Sequence, residues 1–201
     1  MAHVFDDIIV ATDHKSVAFM AGKEGIKATM TGDHSNGSER VFAVASDLGL
    51  SASDVVVNVQ ADEPCLMAAD LAALCRHMAL RPRCQCATLA HRLPLIQSDD
   101  RNRVKVAVDL DKRALYFSRA LIPSGDDSFL IHIGVYAYHY ATLQLMQELS
   151  PTPNEIGENL EQLRLLDNGI GVDILKTQSS YHAVDVPGDV GKVEVILLSR
   201  Q

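Results

Sequence analysis

The chain has 201 residues, 47% of them apolar, enough to bury one sizeable core, and residues 1–201 are expected to form a single domain without repeats or disordered tracts. A balance of 18 Lys and Arg against 26 Asp and Glu gives a net charge of −8, which argues against a nucleic-acid backbone or an anionic membrane as the main partner. No apolar run approaches the roughly 20 residues of a bilayer span, and the acidic opening MAHVFDDIIV lacks the basic start of a signal peptide, so a cytoplasmic protein is expected.

In chain order, strand-like runs rich in Val and Ile alternate with helical stretches, the pattern of a mostly parallel sheet covered by helices. IIVAT (8–12) is followed by a helix over 16–24, KATMT (27–31) by a helix over 38–47, and VVVNVQ (55–60) by a helix over 68–79; CATLAH (86–91) resumes the sheet. From 104 the texture changes: VKVAVDL, ALYFSRAL and FLIHIGVYAYH are three strands with short turns, which suits antiparallel pairing. Helices over 141–149 and 158–168, a strand VDILKT (172–177) and an amphipathic stretch over 187–198 complete the expectation. The four cysteines, Cys65, Cys75, Cys84 and Cys86, include a CxC but no second chelating pair, so ordinary reduced thiols are expected.

Ligands of an open parallel sheet bind at the carboxyl ends of its strands, so Gln60, Asp62 and Glu63, directly after VVVNV, are site candidates. A carboxylate there can hold Mg²⁺ through oxygen; the same letters also read as a polar strand end with a turn-forming Pro64. GDHSNGSER (32–40) is a polar turn feeding a helix, with Ser38 as N-cap and Arg40 as a nearby cation; it reads as a ligand loop or as a well-capped surface helix. In AVDVPGDV (183–190), Asp185 alone reads as a cap before Pro187, and with Asp62 it forms a pair of acidic oxygens able to clamp one metal. No GxGxxG or Walker-type phosphate loop occurs.

The segments IIVATDH, DHSNGSER, VVVNVQADEP, VKVAVDLDKRALYFSRALIP, HIGVYAYH, ENLEQLRLLDNG and AVDVPGDV, in this order and over most of 7–195, resemble the 3-deoxy-manno-octulosonate cytidylyltransferase (CMP-Kdo synthetase) family. The resemblance implies a Rossmann-like nucleotide-diphospho-sugar transferase fold, α/β with a mixed, mostly parallel sheet and a small antiparallel subregion. It implies transfer of CMP from CTP to the sugar acid Kdo, with release of pyrophosphate, for lipopolysaccharide biosynthesis. By the same resemblance Asp62 and Asp185 hold Mg²⁺, while Gln60, Arg119, His132, Tyr136, Glu161 and Gln162 face the sugar acid, Arg119 against its carboxylate. Thr12, Asp13, His34, Gly37, Ser38 and Arg40 would meet the cytidine, Lys105 would contact phosphate or sugar, and the protein would be a homodimer. The family pattern begins with a strand and a loop resembling PARxxSxRLPGKPL, and this chain is expected to start after that first βα unit. Ala61, Asn36, Ser38 and His182 stand where the family has Gly, Ser, Thr and Gly. Two further readings are an inactive member that keeps sugar-acid binding or dimerisation, and a cytidylyltransferase for 8-amino-Kdo or a sialic acid.

Overall fold

The valine-rich runs form strands and the stretches between them form helices, in the order β1 (Ile9–Thr12), α1 (Lys15–Lys23), β2 (Lys27–Met30), α2 (Gly37–Ala45), β3 (Val55–Val59), α3 (Ala68–Leu80), β4 (Cys86–Pro94), β5 (Lys105–Val108), β6 (Ala114–Ser118), β7 (Ser128–His139), α4 (Tyr140–Glu148), α5 (Pro153–Glu158), α6 (Leu163–Asp167), β8 (Val172–Thr177) and α7 (Val190–Leu198). The computed structural model describes residues 4–94, 100–124, 128–178, 181–184 and 186–200. The class is α/β with a mixed sheet, as expected. Strands β6, β5, β7, β4 and β8 lie side by side in that order, and β3 also pairs with β7. β4 and β8 run parallel, every pairing of β7 is antiparallel, and β1 and β2 form a separate parallel pair. The expectation of a mostly parallel sheet with a small antiparallel subregion is corrected: the antiparallel part is central, because β7 pairs antiparallel with β3, β4 and β5, and among the described strands of this sheet only β4 and β8 run parallel.

β7 carries the irregularity that shapes the molecule. Thr88 of β4 pairs with Tyr136 but the next residue, Leu89, pairs with Ile133, so three steps along β7 answer one along β4. A slip of one residue would turn every later side chain to the other face; this slip of two keeps both faces intact. Thr88 Oγ1 donates into the irregularity, to the carbonyl oxygens of Val135 at 2.5 Å and Ile133 at 3.3 Å. Beyond it the free edge of β7 changes partner, pairing with β3 from Val135 to His139 and with β5 at Ile131.

Each face of the sheet buries its own core. Phe117, Tyr136, Tyr138, Leu143, Met146 and Leu163 pack on one side, and Leu74, Met78, Leu89, Ile133, Val135 and Val193 on the other. At roughly 1.5–3 kcal/mol per buried large side chain, these residues hold the sheet that positions the site.

Two local expectations are corrected. The helix expected over 158–168 shrinks to α6, with α5 starting earlier and ending at Glu158, because Asn159 adopts a left-handed conformation (φ 54°) and 159–162 form a turn. α5 itself begins with a capping box in which Thr152 and Glu155 cap each other's backbone N–H, with Pro153 in the first turn. Ser38 is not the cap of α2. Asn36 takes that role, its Oδ1 accepting from Glu39 N at 2.9 Å, and Ser38 is buried within the first turn.

Candidate active site

β3 ends against the irregularity of β7, and the segment after it folds onto Gly134. Gln60 N donates to the Gly134 carbonyl at 3.2 Å, and Glu63 Oε1 accepts from Gly134 N at 2.8 Å. A side chain at 134 would meet Gln60 Oε1 at 2.7 Å and Glu63 at 3.2 Å, so only glycine leaves both where they are. Asp62 follows on the surface. Its carbonyl accepts from Val184 N at 2.8 Å, which ties the end of β3 to the chain just before α7. Two loops 122 residues apart in sequence are joined there (184 − 62 = 122). Among the described residues no hydrogen bond or ion pair engages the Asp62 carboxylate. Asp185, its expected metal partner, lies outside the described residues. An exposed carboxylate suits Mg²⁺, which takes one or two carboxylates together with waters and phosphate oxygens.

The alternation of HIGVYAYH puts His132, Tyr136 and Tyr138 on one face of β7. Their rings form a row: His132 to Tyr136 at 5.1 Å and Tyr136 stacked on Tyr138 at 5.8 Å. Ser38 closes the row, 3.4 Å from the Tyr138 hydroxyl, and donates to Glu161 Oε1 at 2.6 Å. The other oxygen of Glu161 is buried with no hydrogen-bond partner among the described residues, an acceptor available to a ligand hydroxyl. Burial raises the Glu161 carboxyl above the usual carboxylate range, with the Ser38 bond opposing it. It also pushes the His132 imidazole down to about 3, leaving a neutral ring whose Nε2 lies 3.0 Å from Thr88 Oγ1. Burial raises the Tyr136 phenol, reinforced by the Glu161 and Glu63 carboxylates. The row therefore offers hydrogen bonds without charge, which suits the hydroxyls of a sugar.

Glu161 and the buried Gln162 sit in the turn between α5 and α6. That turn is fixed from below by a buried ion pair, Arg164 to Glu155 at 2.5 and 2.8 Å. Ser118 and Arg119 clamp its near side: Ser118 Oγ donates to Glu158 Oε1 at 2.6 Å, Arg119 N to Oε2 at 3.0 Å, and Arg119 Nε to the Glu158 carbonyl at 3.0 Å. The remaining guanidinium bonds are long, 3.3 and 3.5 Å, to the carbonyls of Arg101 and Asn159. Arg119 thus presents a partly exposed cation against the backbone of Glu158 and Asn159, with no carboxylate within ion-pair distance of its guanidinium among the described residues. Lys105 differs from expectation. It is buried, and its ammonium donates to three carbonyls, of Asp100 and Arg103 at 2.8 Å and Arg119 at 2.9 Å. An ammonium has three donors, so in this arrangement Lys105 holds the 100–103 loop against Arg119 instead of reaching phosphate.

The expected nucleotide residues gather at the ends of β1 and β2. Arg40 Nη2 pairs with Asp13 Oδ2 at 2.7 Å, and Nη1 donates to Thr31 Oγ1 at 2.5 Å. The Arg40 hydrogen bond holds the Asp13 carboxyl below the usual range. The buried Thr12 accepts from Thr31 N through its carbonyl at 2.9 Å and from His14 N through Oγ1 at 3.0 Å. His34 lies in the loop before α2 and Gly37 in its first turn, next to Ser38, which links this group to the aromatic row. Tyr138, Thr88 and the buried Asn58, whose Nδ2 is 3.5 Å from Ser38 Oγ, belong to the same constellation without having been singled out. The period of two in HIGVYAYH was the available signal for Tyr138; an asparagine inside VVVNV was the signal for Asn58.

The fold resembles solved sugar nucleotidyltransferases. A Bacillus anthracis structure described as a glucose-1-phosphate thymidylyltransferase superimposes with a TM-score of 0.64 at 15% identity, covering 94% of this chain and 74% of the other, a likeness of fold alone. The cytidylyltransferase family model matches residues 1–176. A structure of CMP:2-keto-3-deoxy-manno-octonic acid synthetase complexed with CTP superimposes with a TM-score of 0.89 at 32% identity, over 97% of this chain and 82% of that one. The 3-deoxy-manno-octulosonate cytidylyltransferase of Acidobacterium capsulatum is 38% identical over 200 residues, 96% of this chain and 80% of the relative. That of Nitratidesulfovibrio vulgaris strain DP4 is 39% identical over 198 residues, 92% and 77%. The class defined here is an α/β nucleotidyltransferase. Within it, the chain belongs to the 3-deoxy-manno-octulosonate cytidylyltransferase family.

Proposed function

We propose that this chain transfers CMP from CTP to the sugar acid Kdo, forming CMP-Kdo and pyrophosphate. The reading rests on the activity named for its relatives and on the CTP complex of its structural neighbour. The observation within this chain that carries it is the hydrogen bond from Val184 N to the Asp62 carbonyl. It joins Asp62 to Val184, the residue that precedes Asp185 in the sequence, and the neighbouring Glu63 bonds to Gly134 of the strand that carries His132, Tyr136 and Tyr138.

In this reading the anomeric hydroxyl of Kdo attacks the α-phosphorus, a new P–O bond forms, and the bond to the β-phosphate breaks with pyrophosphate leaving. Catalysis consists mainly of holding the two reactants in line. Gln60, Tyr136 and Glu161 orient the sugar hydroxyls, and Arg119 meets the sugar carboxylate. The Arg40–Asp13 pair shapes the cytidine end. Mg²⁺, held by Asp62 and Asp185, supplies charge neutralisation to the phosphates when bound. The protein acts in the cytoplasm as a homodimer, and its product feeds lipopolysaccharide synthesis. Among the described residues no helix is long and apolar enough to cross a membrane.

Calorimetry tests the nucleotide half of the reading. CTP with Mg²⁺ is expected to bind, and Asp62→Ala to weaken binding at least tenfold without altering the circular dichroism spectrum. Absence of CTP binding, or binding equal in the variant, would overturn it.

A further inference from the structure

At the opposite end of the sheet, three potential metal ligands converge from separate segments. His77 lies in the last turn of α3, Cys84 in the turn that follows, and Asp173 at the second position of β8, beside Ala87 of β4. One ligand atom from each lies within 4.8 Å of the others, and His77 Nε2 is 2.8 Å from Asp173 Oδ2. The end of α3 is led into β4 by the hydrogen bond from Cys84 N to the Arg81 carbonyl at 2.8 Å, which brings the thiol back under the helix. His77 and Asp173 both line a cavity of about 390 Å³ that also takes in Asp70, Lys112 and Lys176. Gln60 and Asp62 stand at the carboxyl end of β3, whereas Cys84 and Asp173 lie at the amino ends of β4 and β8, so the two sites are distinct.

We propose that His77 Nε2, Cys84 Sγ and a carboxylate oxygen of Asp173 bind one divalent cation of the zinc class. A mixed nitrogen, sulfur and oxygen set excludes Mg²⁺ and Ca²⁺, which take oxygen, and suits Zn²⁺ or Co²⁺ in tetrahedral geometry. Zinc bonds of about 2.0–2.3 Å place tetrahedral ligand atoms about 3.3–3.6 Å apart, so the pair now at 2.8 Å opens slightly and the wider separations close. The thiolate and carboxylate charges balance the ion. Arg81 and Arg113 stand at the rim, 3.6 and 3.9 Å from the Asp173 carboxylate on largely exposed side chains that can turn outward. The remaining coordination position opens into the cavity and takes water.

The free thiol is poorly suited to nucleophilic work. Burial, with the Asp173 carboxylate, pushes Cys84 up to about 12, and its Sγ lies 3.3 Å from the Cys86 carbonyl. Coordination takes a thiolate, so uptake by this site releases a proton and weakens as the pH falls. Once bound, the ion staples the end of α3 to the start of β8.

Cobalt titration of chelator-stripped protein is the test, because a thiolate bound to Co²⁺ gives an intense near-ultraviolet charge-transfer band that an oxygen-ligated ion at Asp62 does not. The expected result is one Co²⁺ per chain with that band, displaced by Zn²⁺, lost in Cys84→Ser and retained in Cys75→Ser, with at least tenfold weaker binding in His77→Ala. X-ray absorption on the zinc-loaded wild-type protein needs no variant and is expected to show one sulfur at about 2.3 Å. A folded wild-type protein with no band at saturating Co²⁺, a band that survives Cys84→Ser, or zinc without a sulfur ligand overturns the proposal.

Discussion

Gly134→Ala separates the positioning of the site from the stability of the fold. The new methyl would stand 2.7 Å from Gln60 Oε1 and 3.2 Å from Cγ and Oε1 of Glu63. Comfortable contact starts near about 3.5 Å, so the Gln60 amide must retreat by about 0.8 Å and Glu63 by a few tenths of an ångström. The atom in the way is the tip of a flexible side chain, so the stability cost falls at the low end of the overpacking range, about 1 kcal/mol. Positioning is less forgiving, since a shift of about 1 Å in a substrate-holding group costs on the order of 100-fold. Pyrophosphate release with CTP saturating and Kdo varied should show kcat/KM for the sugar reduced about 10- to 100-fold, equivalent to about 1.4–2.7 kcal/mol. Gln60→Ala with Gly134→Ala together should be little worse than Gln60→Ala alone, because the clash then has no target. Kinetics of Gly134→Ala within twofold of the parent would refute the idea that Gln60, held against Gly134, orients the sugar.

The remaining predictions concern stability. Burial lowers His132 to about 3 and His91 to about 4, below the unfolded value of about 6.5. The unfolded chain therefore takes up these protons first, so their contribution is fully present above about pH 6.5 and is lost as the pH falls below it. At about 1.4 kcal/mol per unit and group, urea unfolding at pH 5.5 should show about 2 kcal/mol less stability than at pH 7, and His132→Asn should flatten that dependence; equal midpoints at the two pH values contradict it. Glu155→Ala strips the partner from a guanidinium whose side chain is 6% exposed and also removes half of a capping box, so a loss of about 3–5 kcal/mol is expected. A shift in urea midpoint equivalent to under 1 kcal/mol would show that the pair does not hold the α5–α6 turn.

Much of this architecture was legible because periodicity and position carry it. VVVNV and VDILKT became strands at the expected places, and the letters after VVVNV fell at a strand's carboxyl end, hydrogen-bonded to Val184. What escaped depends on contacts between distant residues. Nothing local in ENLEQLRLLDNG shows that Asn159 takes a left-handed turn, yet that turn and the Arg164–Glu155 pair set where Glu161 stands. Lys105 stands second in VKVAV, and nothing local marks it as buried; three carbonyls from loops on either side make burial possible. Ser38 sits where a cap is expected, but Asn36 wins the cap because its side chain and Glu39 satisfy each other's region, leaving Ser38 for Glu161. The CxC shows no second chelating pair, and the partners His77 and Asp173 are separated by 96 positions.

Phosphorus-31 NMR of the purified protein with CTP, Kdo and Mg²⁺ tests the central claim most directly, because it follows both the bond formed and the bond broken. The account predicts a phosphodiester resonance of CMP-Kdo growing in step with pyrophosphate, in equal amounts, and neither when Kdo or Mg²⁺ is withheld. CTP left unchanged at high protein concentration, or cleaved to CMP without a sugar phosphodiester, would contradict it.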